Sequence, residues 1–420
     1  MNTKRILIYL PLGLILILVQ SFFWVPTYDR QAVGNPDRLV KYIHGSAADA
    51  QILNPILSAD TTSSSITELV FDGLIDLDDN LEYRPRLASS WSQYEEAYLA
   101  VPSHAQATGM REKIPSDAHD FGKWVQKALK PNIAWNENLR SVEVVPGKTV
   151  TGQITVPVLD GAGNPLMKDG RPVTQKVDYN FQQPDRIKFT LHRIDQDFFN
   201  PVEKLLGAEF FQSFPYSQYI HADEASEQKN LAGHYHDIFP LIEHNPVIVF
   251  KLRKGVRFHD GHEFDSGDVL FTYRAIMNPK NASPRTSDYE PIKSVEPVGP
   301  HEVRIVYKRL FSPAINSWFM GILPEHLLND RALKKEAEEK GLESFTIRDS
   351  RFNRHPVGTG PFVFKEWQSD ELIRLVRNRE YWDSPPEYHE YVMRIIPDAL
   401  TQEMEFYAGA VDNYSVQPHQ

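Results

Sequence analysis

Cysteine is absent from the 420-residue chain. That excludes disulfides, thiol nucleophiles, thiolate-bound zinc and iron–sulfur clusters. It also excludes a lipid-modified N-terminal cysteine as a membrane tether. An excess of positive charge is missing too: 45 lysines and arginines stand against 56 aspartates and glutamates, a net charge of −11. A nucleic-acid-binding surface would show the opposite balance, and a mild acidic excess serves solubility without naming a partner. Glycine, at 22 residues, is outnumbered by 30 prolines, which points to ordered, extended connections rather than flexible linkers. No G-x-S-x-G, H-E-x-x-H or phosphate loop occurs, so no catalytic residue is assigned.

What is present begins at the N-terminus. Lys4 and Arg5 precede "ILIYLPLGLILILVQSFFWV", residues 6–25, which holds no charge. Twenty apolar residues suffice to span a bilayer as a helix, and the flanking charges direct the rest of the chain outward. The run ends in Phe22, Phe23, Trp24, Val25 and Pro26 rather than in small residues. Residues 1–26 are therefore expected to be an uncleaved anchor, with a removed signal peptide as the alternative. Either way the body is exported. Residues 27–36 read as a linker.

Further on, "RLVKYIHGS" (38–46) alternates like a strand and "SSSITELVFDGL" (63–74) carries helical spacing after serine caps. Residues 74–91 read as a hairpin turning at Asp78-Asp79-Asn80. Residues 92 to about 246 differ in character, with helical "AHDFGKWVQKAL" and short strands around Gly/Asn turns. His234, His236 and Asp237 offer metal-ligand chemistry but lack a third anchor, so no metal site and no cofactor is assigned.

The densest polar stretch is "FKLRKGVRFHDGHEFDSGDVLFTY", 250–273. His259, Asp260, His262, Glu263, Asp265 and Asp268 crowd into ten positions there. Residues 247–258 alternate as a strand, and His259-Asp260-Gly261 suits a turn. A helix follows, capped by Asp265 or Ser266, with Asp268 in its first turn. Each acid thus has a structural duty, and the two histidines lack the i, i+4 spacing of a helical zinc site.

Four blocks, in order, resemble the extracellular solute-binding proteins that serve peptide and nickel ABC importers. They are "LNPILSADTTSSSITELVFDGLIDLDDN" with "PRLASSW" (53–91), the 250–273 stretch with "NPKNASP" (278–284), "PVGTGPFVFKEW" with "RNREYW" (356–382), and "RIIPDALTQEMEFYAGAVD" (394–412). Together they cover a little over half of the chain. The resemblance implies an α/β fold: a two-lobed, periplasmic-binding-protein-like clamp of mixed sheets. To this the present chain adds the N-terminal transmembrane helix and an inserted α+β subdomain. Lobe one would take 37–71 and 312–420, and lobe two would take 72–311 with the insertion at about 92–246. The chain stops where the family enters its last large segment, so a fragment is expected.

The resemblance also implies function without chemistry: capture of a peptide outside the cytoplasmic membrane and delivery to an ABC permease. The expected partners are a peptide, the permease and, through residues 6–25, the membrane. Nucleic acid is not among them. A receptor that presents its ligand without transport, or a truncated non-binding product, is the alternative. Ligand contact is placed by resemblance at Asn54, Ser58, Ala59, Asp60, Thr61 and Thr62, at Gly358, Thr359 and Gly360, and at Trp382. For the first group the structural alternative is a helix-capping loop, for the glycines a backbone requirement, and for Trp382 plain packing.

Overall fold

The computed structural model describes residues 40–101, 114–115, 117–414 and 416, with scattered positions between Pro11 and Gln20. The expected linker lies outside these residues, and the expected anchor lies largely outside them. Among the described residues no helix is long and apolar enough to cross a membrane. The chain forms two compact units. The first comprises the chain up to Asp76, Arg253–Thr286 and Phe319 onwards; the second comprises Leu77–Leu252 and Ser287–Trp318. This division differs from the expected lobe boundaries. Arg253–Thr286 packs in the first unit because its turn bonds to Gly358 and its helix to Leu323 and Glu325.

The first unit holds a four-stranded sheet, in the order Lys41–Ser46, Glu390–Ile395, Leu372–Arg377, Phe362–Gln368. The outer pair is parallel, with Lys41 opposite Glu390, and the others are antiparallel. Ile373, Leu375 and Met393 are buried. The helix Thr61–Val70 starts where Asp60 accepts a hydrogen bond from the Ser63 N–H at 2.7 Å. Such a cap satisfies a donor that the first turn would otherwise leave unpaired. Ile66 and Val70, four apart on one face, are fully buried. The charged helix Asp330–Lys340 stops at Gly341, whose φ of +66° suits glycine.

The second unit is built on a six-stranded antiparallel sheet, ordered Ile292–Gly299, Glu302–Tyr307, Ile242–Leu252, Ala88–Ala100, Arg186–Leu191, Leu139–Val145. Ala88–Ala100 and Ile242–Leu252 pair along their lengths, so the long intervening segment leaves and re-enters the sheet side by side. The strand expected over 247–258 in fact spans Ile242–Leu252. Alternation decides the two faces. Ala97, Leu99, Ile187 and Phe189 face a core with Trp135, Phe198 and the helix Ala118–Leu129, which contributes Phe121, Val125 and Leu129. On the opposite face Arg186 pairs with Glu243 at 3.0 Å, and Arg304 with Glu96 at 2.7 Å. A separate three-stranded sheet, Ile220–Ala222, Thr174–Gln182 and Thr149–Pro157, encloses a second core of Val156, Val177, Phe181 and Phe239.

Candidate functional site

The polar stretch after Leu252 resolves into single jobs, all within the first unit. The His259 ring donates from Nε2 to the Gly360 carbonyl at 2.9 Å and accepts at Nδ1 from the Gly358 N–H at 3.3 Å. That pattern is the neutral tautomer. Burial holds its pKa below the usual value, against the opposing pull of the Gly360 carbonyl. Asp260 closes the turn by accepting the His262 N–H at 3.1 Å, and its other oxygen meets His326 Nε2 at 2.7 Å. Burial alone would raise this carboxyl; the His326 and His262 bonds outweigh it and hold the pKa low. The His262 and His326 rings stack with centroids 3.9 Å apart.

Asp265 and Asp268 form a reciprocal cap on the helix Ser266–Met277. Asp268 does more: its second oxygen accepts the Glu325 N–H at 2.9 Å. Nearby, the Thr272 hydroxyl accepts the Leu323 N–H at 2.9 Å. The acids of this stretch therefore fasten the chain at 323–326 to the turn and helix. Asp268 is 4% exposed and its pKa is pushed up to about 6 by burial. No group of three or more histidines and acids among the described residues could hold a metal ion. His234 and His236 point to different partners, Asp237 and Tyr216.

Gly358, Thr359, Gly360 and Trp382 come together around a residue that no sequence motif singles out. Asp72, 2% exposed, accepts from the Thr359 hydroxyl at 3.2 Å, the Tyr381 hydroxyl at 3.1 Å and the Trp382 indole N–H at 2.9 Å. Its one signal is an acid inside an otherwise apolar run, "VFDGL". The Arg253 guanidinium lies 4.7 Å over the Trp382 ring. The glycines are there for close approach. A Cβ on Gly358 would sit 2.0 Å from the Val70 carbonyl oxygen, and one on Gly360 2.6 Å from the Val70 carbonyl carbon.

Asp60, Thr61 and Thr62 sit at the other end of the helix Thr61–Val70, about 15 Å along its axis at 1.5 Å per residue. Asn54 is fully buried; its amide donates to Asn353 at 2.9 Å and its oxygen accepts the Ile56 N–H. Thr62 donates to the Ala48 carbonyl and Ser58 is buried. Asp60 spends one oxygen on the cap, and its other oxygen is buried without a partner. Ala59 and Thr61 are exposed.

Residues 243–420 match the family described as bacterial extracellular solute-binding proteins, family 5 Middle. That match covers less than half of the chain. Oligopeptide-binding protein AppA of Bacillus subtilis (strain 168) is 34% identical over 171 residues, 40% of this chain and 29% of the relative. Heme-binding protein A of Haemophilus influenzae is 32% identical over 182 residues, 39% and 31% of the two chains. Among solved structures, B. subtilis AppA in complex with a nonapeptide aligns at 19% identity with a TM-score of 0.46, covering 88% of this chain and 43% of that one. The matched parts thus span less than a third of these curated relatives and less than half of the solved structure.

Proposed function

We propose that the chain is the substrate-binding component of an ABC importer, taking peptides outside the cytoplasmic membrane and handing them to a permease. The observation that carries this reading is the family match over 243–420. The names of relatives, an oligopeptide-binding protein and a probable di/tripeptide-binding protein, favour peptides over other solutes. The reading requires no bond-making step, only differential affinity for a captured ligand. Within the expected contact set, Ala59 and Thr61 present side chains to solvent and are the proposed ligand-facing positions. Asn54, Ser58, Asp60 and Thr62 would hold their loop, and Gly358, Thr359, Gly360 and Trp382 would act as its structural counterpart around Asp72. The uncharged run 6–25 would anchor the body.

Two experiments test this. Calorimetric titration of the full chain with di- to nonapeptides should give saturable heat, and Thr61→Lys should weaken it without lowering the unfolding temperature. Absence of heat with every peptide tested would sink the peptide reading. Alkaline extraction of membranes should leave the full chain in the pellet and release a variant lacking residues 1–26; co-release of both rejects the anchor.

The segment between Ala100 and Ile242, with a hydrophobic core of its own, favours a second reading: a receptor that presents its ligand to another protein. Growth on peptides as sole nitrogen source after gene deletion separates the two. Unimpaired growth would favour the receptor.

A further inference from the structure

In the second unit, the core-facing side of the six-stranded sheet is not covered along its whole length. Residues on that side of Ala88–Ala100 run Leu99, Ala97, Glu95, Gln93, and opposite them on Ile242–Leu252 stand Ile242, His244, Pro246 and Ile248. The aromatic core covers Leu99 and Ala97. Beyond Glu95 the buried Pro246 and Ile248 and the exposed Gln93 line a cleft of about 690 Å³. That volume lies within the range of small-molecule sites.

The cleft has an apolar bed and a one-signed rim. Pro246, Ile248, Leu310, Phe311 and Ile315 supply the bed, and Ile194, 39% exposed, overhangs it. Among the described residues, Asp195 and Asp197 are the only charged members of the lining. Asp195 accepts from the Asn138 amide at 3.3 Å and the Asp197 N–H at 3.0 Å; Asp197 accepts from the Asn200 amide at 3.0 Å. Neither carboxylate meets a cation among the described residues, whereas Glu96, Glu243 and Glu296, on the opposite face of the sheet, all do. The rim is also held in place. Glu95, fully buried, accepts the Asp195 N–H at 2.8 Å and meets His244 Nδ1 at 2.5 Å, while the Tyr83 hydroxyl donates to Asn316 at 2.7 Å.

We infer that this cleft, within the second unit, is a binding site for a small organic ammonium with an apolar body. The body would lie on Pro246, Ile248 and Phe311, and the ammonium would donate to Asp195 and Asp197. An anion of the same shape would meet two carboxylates and no donor cation, so charge supplies the selectivity. Glu95 and His244 are positioning residues, because they touch the loop and not the ligand.

The test uses phenethylammonium and its anionic near-isostere 3-phenylpropionate, with the full chain, by saturation-transfer NMR and calorimetry. Phenethylammonium should bind at least about tenfold more tightly than 3-phenylpropionate, and Asp195→Asn with Asp197→Asn should remove that preference, as loss of a charge-assisted contact predicts. Ile194→Ser, a change at an exposed rim position, should weaken both probes without altering the unfolding temperature, which guards against misreading a folding defect. Equal binding of the two probes, no detectable binding of phenethylammonium, or binding indifferent to the aspartate substitutions would each overturn the assignment.

Discussion

In the first unit a buried carboxylate gathers three side-chain donors, and a polar turn fastens a distant segment through backbone N–H groups. In the second unit the core is a stack of aromatic rings: Trp135 lies 5.1 Å from Phe198, and Phe189 meets Trp135, Phe198 and Phe199 edge-on. Its Arg186–Glu243 and Arg304–Glu96 pairs lie on the outer face of the sheet, and the buried Glu95 meets His244 on the inner one. The contrast teaches where each unit is vulnerable. Polar hubs fail when one partner is removed, because the remaining groups stay buried and unpaired. Aromatic cores fail in proportion to the volume lost.

The largest expected effects test this contrast directly. Phe189→Ala in the second unit should cost about 3–5 kcal/mol in denaturant unfolding. Asp72→Ala should cost a similar amount, about 3–5 kcal/mol, by removing the acceptor that Thr359, Tyr381 and Trp382 share; Asp72→Asn should recover part of it. If Asp72→Ala proved no worse than an exposed surface substitution, the hub would not be the organising feature of its unit. Gly358→Ala should cost about 1–3 kcal/mol, since backbone must move to admit the new methyl group.

A pH experiment sharpens the comparison at one residue. The Asp268 carboxyl is raised from its ordinary 3.8 to about 6. A raised folded-state value means the contribution is full below about pH 4 and is lost as pH rises through 6. A rise of that size corresponds to about 2–3 kcal/mol. Wild-type stability should therefore decline from pH 4 to pH 7 relative to that of Asp268→Asn; parallel profiles would reject a charged, buried Asp268 at neutrality. The smallest effect belongs to the outer face of the second unit. Arg186→Ala should change stability by about 1 kcal/mol or less, because partly exposed ion pairs are screened.

Legibility differs in the same way. The helix start at Asp265, the stop at Gly341 and the tight turn at Asp169-Gly170 depend on residues within a few positions, whereas the helix read as capped from Ser63 starts at Asp60, whose carboxylate takes the Ser63 N–H. The turn at Asp260 is structural, as its residues indicate. In sequence, however, its acids show only as caps and turn formers; their bonds to Glu325 and His326 cross more than fifty residues and leave no local mark. The strand expected to run to residue 258 stops at Leu252. Its alternation continues into Val256 and Phe258, which are buried and pair in a short bridge with Phe264 and His262 instead of extending the long strand.

Periodicity, capping residues and the order of four motifs were enough to read many of the elements and a family resemblance, because each depends on near neighbours in the chain or on patterns that recur along it. Tertiary structure alone decided that Asp72 is a hub, that Gly358 and Gly360 are required by the Val70 backbone, and that Arg253–Thr286 joins the first unit. It also set Asp195 and Asp197 above an apolar floor with no cation beside them among the described residues. Those outcomes depend on groups brought together from distant positions, and the free energy of a buried polar group is set by what surrounds it, not by what precedes it in sequence.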